Sequence, residues 1–115
     1  MVRRSDECAV SVREAMRGGP GSVKLVEVAS KEEMFSRARM FSKLVLEPGC
    51  GIGPHMHEGE CEIFYIAKGV ATYLDNGTEV TLYPGDVTIC GDGETHGVTN
   101  NGSETLEIIA VIPTK

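Results

Sequence analysis

The sequence has no excess of basic residues and no long apolar run, and these two absences exclude several classes of protein. It carries 17 acidic and 11 basic side chains, for a formal net charge of −6, and no stretch gathers Lys and Arg into a stripe that follows phosphates. Nucleic acid is therefore not an expected partner. No segment approaches the ~18 consecutive apolar residues of a membrane span, so a membrane partner is not expected either.

The N-terminus also lacks the apolar run of a signal peptide, because the stretch MVRRSDECAV is interrupted by charges. We therefore expect a cytoplasmic protein. The four cysteines show no CxxC spacing, and in a reducing compartment they are expected to be free thiols. They are Cys8, Cys50, Cys61 and Cys90.

There is no internal repeat, no low-complexity tract and no room for a second core. A chain of 115 residues with 41% hydrophobic residues spread along it predicts one globular domain, residues 1–115. The sharp break at Arg17-Gly18-Gly19-Pro20-Gly21 is too short for an interdomain linker. It indicates a turn that joins an N-terminal arm, residues 1–22, to the rest of the same domain.

Short runs of β-branched and aliphatic residues, separated by Gly, Pro, Asn and Asp, predict an all-β fold. Many short antiparallel strands in one small domain suggest a sandwich or barrel, which leaves few exposed sheet edges. We predict eight strands, at Val23–Val28, Met40–Leu46, Ile63–Lys68, Ala71–Leu74, Glu79–Tyr83, Val87–Cys90, His96–Thr99 and Thr105–Ile112.

Two turns and two helices can be predicted from local signals. Asn76-Gly77 predicts a type I′ hairpin, and Pro84-Gly85 occupies the centre of a predicted type II turn. The candidate helices are Ser5–Met16 and Ser30–Ala38, the second with a capping box in which Glu33 follows Ser30 by three residues. For both segments irregular structure is the alternative.

Only three histidines occur in the chain, and two of them lie in the stretch GPHMHEGECE. On a strand, His55 and His57 project to the same face. The residues after His57 are suitable for a short connection, after which CEIFYIA resumes as a strand. A hairpin formed in this way would bring Glu62 next to His57.

Two imidazoles and one carboxylate are ligands for a divalent transition metal, and His96 is the obvious fourth. An H-x-H pair alone is more often part of an ordinary polar surface, so this pair needs support from elsewhere. Glu58 and Glu60 are expected to be solvated loop charges rather than ligands.

The spacing of these residues resembles the two motifs of the cupin superfamily. The first motif is Gly, five residues, His-x-His, four residues, Glu, six residues, Gly, and its positions are Gly49, His55, His57, Glu62 and Gly69. The second motif is met at Gly85, Gly93, His96 and Asn100. Gly91 stands where the family usually has Pro, which suggests a more mobile loop before His96. The two motifs cover residues 49–100.

The resemblance implies a jelly-roll β-barrel, often a homodimer, with the metal inside the barrel near its open end. It also implies that His55, His57, Glu62 and His96 are the metal ligands. Mixed imidazole and carboxylate ligands suit Mn or Fe(II), while Zn, Ni, Co and Cu stay open. The chain is also similar, more weakly, to small cupins described as oxalate decarboxylase-like.

The resemblance favours a metalloenzyme that acts on a small organic acid or enolisable compound, as a dioxygenase, decarboxylase or isomerase. The alternative is a non-catalytic module that binds a small ligand at the metal. The residues that carry catalysis are left open. Candidate acid or base groups are Glu60, Tyr65, Tyr73 and Cys90.

The surroundings of the metal can be anticipated from strand parity. Phe64 and Ile66 share the face of Glu62, and Val98 shares that of His96, so an apolar pocket wall is expected. Arg17 is a candidate anion anchor if the N-terminal arm folds over the mouth of the barrel.

Overall fold

The computed structural model describes all 115 residues, and nearly all of its regular structure is β-strand. Two short 3-10 helices lie at Ser5–Glu7 and Met16–Gly18. The strands are β1 (Val10–Glu14), β2 (Ser22–Ala29), β3 (Ala38–Leu46), β4 (Gly51–Met56), β5 (Glu62–Lys68), β6 (Ala71–Asp75), β7 (Thr78–Leu82), β8 (Val87–Cys90), β9 (Thr95–Thr99) and β10 (Leu106–Pro113).

The strands form two antiparallel sheets that share one core. The larger sheet has the order β1-β2-β3-β10-β5-β8, and the smaller one has the order β4-β9-β6-β7. A cluster of 14 buried apolar residues draws on both sheets, for example Leu44 and Ile108 from the larger and Tyr73 and Val98 from the smaller. The predicted all-β jelly-roll architecture is confirmed.

The larger sheet is apolar on both of its faces. Along β10, side chains alternate between full burial, as at Ile108, and partial exposure, as at Ile109 and Val111. The outer face continues to exposed apolar side chains at both edges of the sheet. These are Val10 and Val12 on β1, and Tyr65, Val87 and Ile89 on β5 and β8.

All eight predicted strands are present, each with its ends within two residues of the predicted ones. Both predicted turns are also present. Asn76 and Gly77 have φ of 49° and 87°, as a type I′ turn requires. Gly85 has φ of 95°, and the Asp86 N–H donates to the Tyr83 carbonyl at 3.0 Å.

The helix predicted at Ser5–Met16 is wrong, because Val10–Glu14 in that segment form the edge strand β1 and only Ser5–Glu7 form a short 3-10 helix. Its sequence VSVRE alternates apolar and polar residues with the period of a strand. Pairing with β2, for example Val10 with Val26, satisfies backbone groups that would otherwise be left free at the edge of the sheet. Tertiary pairing therefore overrides the weak helical preference of this segment.

The segment Ser30–Ala38 forms successive turns and no continuous helix. The irregular structure given as the alternative to a helix is therefore the one present. The predicted capping box is nevertheless present: the Ser30 N–H donates to Glu33 at 2.9 Å, and the Glu33 N–H donates to Ser30 Oγ at 3.1 Å. Phe35 and Ser36 then adopt φ of 56° and 57°. Two consecutive left-handed residues end any helix at this point.

The N-terminal arm is held against β4 by close backbone contact. A Cβ added at Gly53 would lie 2.1 Å from the carbonyl oxygen of Arg17, so only glycine allows this approach. The Gly51 N–H also donates to the Pro20 carbonyl at 2.9 Å. These contacts place Met16–Gly18 beside the strand that carries His55.

The four cysteines are free thiols in the structure. No helix has the length and apolar character needed to cross a membrane.

Candidate metal centre

His55 and His96 lie directly opposite each other on paired strands of the smaller sheet. β4 pairs with β9, and His55 is in register with His96. His57 follows the last residue of β4, where its N–H donates to the Glu94 carbonyl at 3.1 Å and its carbonyl accepts from Gly93 N–H at 2.7 Å. The loop before His96 therefore fixes the backbone of His57.

Glu62 reaches the histidines from the opposite sheet. The prediction that the strands on either side of the loop in GPHMHEGECE pair as a hairpin is therefore wrong. Glu62 begins β5, which pairs with β8 and β10 of the larger sheet and not with β4. The chain crosses from one sheet to the other between His57 and Glu62. The predicted contact between these two residues is present, but it is made across the interior of the sandwich.

The four side chains converge with separations that fit a single metal ion. The Glu62 Oε1 atom lies 2.9 Å from His96 Nε2, 3.1 Å from His57 Nε2 and 3.9 Å from His55 Nε2. The Nε2 atoms of His57 and His96 are 3.1 Å apart. One donor atom from each of the four residues lies within 4.8 Å of the others.

Donors about 2.0 to 2.2 Å from a common ion lie roughly 3 to 4 Å from one another, and the three distances from Glu62 Oε1 to the histidines are close to this range. His55, His57, Glu62 and His96 are thus positioned to hold a metal ion. The geometry leaves the identity of that ion open.

Glu62 is an ionised carboxylate in a buried position. Burial opposes its ionisation, but the three imidazoles around it outweigh this and hold the pKa of Glu62 well below its usual range. The hydrogen bond to Glu62 raises the pKa of His57, with Glu60 adding to the effect and burial opposing it. The negative charge of Glu62 therefore favours an added positive charge in the cluster, which either a proton or a divalent cation can supply.

Hydrogen bonds at Nδ1 turn the Nε2 lone pairs of His55 and His57 toward the centre of the cluster. His55 Nδ1 lies 2.8 Å from the Gly53 carbonyl oxygen, which can only accept, so Nδ1 carries the proton. His57 Nδ1 lies 2.5 Å from Glu60 Oε2, an ionised acceptor. In neutral rings, both Nε2 atoms are then free to bind a metal.

His96 is held by aromatic neighbours that belong to the core. The Tyr73 hydroxyl lies 2.8 Å from His96 Nδ1, and burial raises the pKa of Tyr73 to about 12. The Phe64 ring stacks on the imidazole with the centroids 5.0 Å apart. Phe64, Ile66 and Val98 are all buried, so the apolar wall predicted from strand parity is present.

Glu60 is not the solvated loop charge that its sequence context suggests. Its side chain is 13% exposed and accepts two hydrogen bonds from Arg39, at 2.7 and 2.8 Å, besides the one from His57. Arg39, and secondarily His57, lower the pKa of Glu60 to about 2 against the effect of burial. It lies outside the group of four residues that could hold a metal ion. Glu58, in contrast, is exposed as expected.

The other candidate acid or base groups are poorly placed for proton transfer at the metal. Tyr65 points to the outer face of the larger sheet and is 48% exposed there. Cys90 is buried, and burial raises the pKa of its thiol to about 11. Tyr73 is hydrogen-bonded to His96. Tyr73 supports His96, and its raised pKa and that of Cys90 make both unsuited to proton exchange near neutral pH.

A cavity of about 700 Å³ lies between β1 and the ligand cluster, with His55, His57 and Glu62 in its wall. Arg17 lines this cavity, as expected if the N-terminal arm covers the mouth of the barrel. Arg13 and Arg39 also line it, together with Glu14 and Glu27. Sequence reasoning missed these four. For Arg13 the reason is that the predicted helix at Ser5–Met16 hid the alternation that places this side chain on the inner face of β1, opposite the buried Val23.

The loop before His96 is closed by hydrogen bonds where the family motif usually has a proline ring. The Gly91 N–H donates to Glu94 Oε1 at 2.8 Å, and the Glu94 N–H donates to the Gly91 carbonyl at 3.0 Å. A proline at position 91 has no N–H to donate. These contacts tie the loop in place and give no indication of the mobility suggested by the missing ring.

Comparison with known proteins supports the same fold. Residues 42–112 match the family model for a cupin domain, which is more than half of the chain. The chain is 44% identical over 112 residues to a Thermotoga maritima protein named "Oxalate-binding protein", covering 97% of this chain and 93% of that protein.

Two solved structures illustrate near and distant similarity. The crystal structure of a predicted oxalate decarboxylase from Thermotoga maritima has a TM-score of 0.95 and 43% identity, with complete coverage of both chains. A polyketide cyclase from Streptomyces resistomycificus has a TM-score of 0.76 and 21% identity, covering all of this chain and 81% of the other, and this likeness concerns the fold alone.

The two facing sheets and the three-His, one-Glu cluster between them define a small jelly-roll protein with a site suited to a metal ion. With the matches above, the chain belongs to the cupin family.

The first prediction concerns the four ligands. Replacing His57 or His96 with Ala removes a buried donor and leaves Glu62 without one of its partners, so we expect metal content to fall from about one ion per chain to near zero. Metal analysis of protein purified from Mn- or Fe-supplemented cells measures this. Met56→Ala, an exposed neighbour of both histidines, is the control. Full metal stoichiometry in both histidine variants would contradict the ligand assignment.

The second prediction concerns pH. Because the pKa of His57 is raised in the metal-free chain, a proton competes with the metal at a higher pH than at an isolated imidazole. Metal should be retained above that raised pKa and lost as the pH falls through it. The metal-free fold should show the opposite trend, since protonated His57 stabilises it at low pH and this contribution disappears as the pH rises through the raised value.

Metal retention and the thermal midpoint of the metal-free chain, each followed from about pH 8 to pH 5, test this pair of trends. Metal retention that does not change across this range would show that the imidazoles are not the competing groups.

Proposed function

We propose that the protein binds a small organic acid as a ligand of a divalent metal ion held by His55, His57, Glu62 and His96. The observation that carries this proposal is the position of three of the four donors, His55, His57 and Glu62, in the wall of a cavity that also contains three arginines. A divalent ion bound by four protein ligands keeps about one or two coordination positions for an external oxygen ligand and acts on it as a Lewis acid. Mn or Fe suits the mixed donor set.

The arginines on the cavity wall favour an anionic ligand. Arg13, Arg17 and Arg39 come from three separate segments that meet around the same space. Guanidinium groups form paired hydrogen bonds with carboxylates, so an acid with one carboxylate at the metal and another facing the arginines is well matched. The relative named "Oxalate-binding protein" makes oxalate the first ligand to test.

Turnover of the bound acid is the second candidate, as a decarboxylase, dioxygenase or isomerase. Glu14 and Glu27 line the cavity, and neither makes a side-chain hydrogen bond within the chain. A carboxylate without a partner near the ligand space can take up or deliver a proton. The acid or base candidates named from the sequence do not have this freedom, so turnover would depend on Glu14 and Glu27.

We expect oxalate to bind the metal-loaded protein and not the metal-free protein, since its first carboxylate needs the metal. Arg13→Met should weaken this binding about tenfold by removing a charged partner. Arg37→Met is the matched control, because Arg37 is exposed and lies outside the cavity. Calorimetric titration with oxalate, malonate and acetate measures these differences.

Release of carbon dioxide or uptake of oxygen by the Mn- or Fe-loaded protein would establish catalysis, and binding without either would establish the binding module. Equal affinity of the metal-free and metal-loaded proteins for oxalate would contradict both versions of the proposal.

We also infer a homodimer, supported by the apolar outer face of the larger sheet. Val12 is 58% exposed at one edge, and Val87 and Ile89 are 55% and 64% exposed at the other. Exposed apolar faces of this kind are typical of surfaces that are covered by a partner. A cytoplasmic location and the absence of nucleic-acid and membrane partners remain predictions of the sequence.

The dimer is tested by light scattering coupled to size-exclusion chromatography. We expect a mass of two chains for the natural protein. Val87→Lys or Ile89→Lys should shift it toward one chain, since a charge buried at an interface is costly, while metal content stays unchanged. A natural protein that is monomeric at high micromolar concentration would refute the homodimer.

A further inference from the structure

His57 is the only one of the three histidines whose outer nitrogen faces a charged side chain. His55 Nδ1 faces the Gly53 carbonyl, and His96 Nδ1 faces the Tyr73 hydroxyl, both at 2.8 Å. His57 Nδ1 faces the Glu60 carboxylate at 2.5 Å. The three rings are therefore held by partners of different strength, and the strongest partner is at His57.

Glu60 is itself fixed from the other side by Arg39. The guanidinium donates from Nε to Oε1 at 2.7 Å and from an Nη atom to Oε2 at 2.8 Å, so both carboxylate oxygens are engaged. A backbone bridge between Glu60 and Thr114 holds the segment in register with the end of the chain. The result is a continuous row of contacts from Arg39 through Glu60 to His57 Nδ1.

The contacts from Arg39 through Glu60 to His57 Nδ1 determine which ring nitrogen of His57 carries the proton and which has the free lone pair. A carboxylate can only accept, so Glu60 keeps the proton on Nδ1 and leaves Nε2 free toward Glu62 and His96. A carboxylate behind a metal-binding imidazole would also make the ring a better donor and would fix its orientation. Loss of such an outer partner typically costs about 10- to 100-fold in metal affinity.

We propose that Glu60, held in place by Arg39, is a positioning residue that fixes the His57 ring for metal binding. The inference rests on the proposed metal site. Glu60 acts through His57 and is not itself a ligand, and Arg39 acts through Glu60. The cavity wall and the metal site are thereby connected, because Arg39 also lines the cavity.

The order of these contacts predicts a graded set of variants, measured as Mn²⁺ affinity by electron paramagnetic resonance of the free ion. Glu60→Ala should weaken Mn²⁺ binding about 10- to 100-fold. Glu60→Gln, which keeps an acceptor and loses the charge, should fall between this variant and the natural protein. Glu58→Gln, a change to an exposed glutamate of the same loop, is the matched control and should bind as the natural protein does.

Arg39→Met should weaken binding less than Glu60→Ala, because the carboxylate is still present. Added to Glu60→Ala it should cause no further loss, since Arg39 has no other route to His57. If the losses in Mn²⁺ affinity of the two single variants add fully in the double variant, Arg39 acts independently of Glu60. That result would refute the proposal that Arg39 acts through Glu60.

The ring itself provides a readout that a purely structural role would not change. In ¹⁵N-labelled, Zn²⁺-loaded protein, the His57 Nδ1–H signal should be protected from exchange with water. Glu60→Ala should lose that protection and Glu58→Gln should keep it. Glu60→Ala with natural Mn²⁺ affinity and a protected signal would refute the proposal.

Failure of this inference can be told apart from failure of the metal site. If the natural chain binds neither Mn²⁺ nor Zn²⁺, the proposed metal site is wrong, and the positioning role falls with it. If the natural chain binds both ions and Glu60→Ala binds them equally well, the site stands and only the role of Glu60 and Arg39 is wrong.

Discussion

The architecture of this site depends on one contact across the sandwich, where Glu62 of the larger sheet meets His57 and His96 of the smaller. The carboxylate and two imidazole nitrogens lie within 3.1 Å of one another in a buried space. A lone carboxylate in such a place would be costly, since burial disfavours its charge. The surrounding imidazoles compensate that cost in the metal-free chain, and a divalent cation would do so more completely.

Much of the neighbouring structure can be understood as support for this contact. The loop Gly91–Glu94 fixes the backbone of His57, the Tyr73 hydroxyl and the Phe64 ring hold His96, and Glu60 holds the outer side of His57. Close packing of the two sheets around these groups leaves the donors little freedom. The N-terminal arm then closes one side of the space and adds Arg13 and Arg17 to its wall.

Sequence reasoning was accurate where the signal is local. Strand periodicity located eight strands, and the turns at Asn76-Gly77 and Pro84-Gly85 followed from backbone preferences. The four residues of the cluster followed from motif spacing. It failed at the edge strand β1, where a helix was expected although VSVRE alternates like a strand. It also failed at Glu60, because Arg39, which decides that case, lies 21 residues away in sequence.

What the sequence by itself determined is the all-β pattern, its turns and the identity of the residues that converge, since these depend on residue type, parity and spacing along the chain. Only the tertiary structure decided that Glu62 arrives from the opposite sheet, that Arg39 and Glu60 back His57, and that Arg13 faces the cavity. The reason is that strand parity tells which residues share a face, whereas the crossing of the chain between sheets determines which faces meet.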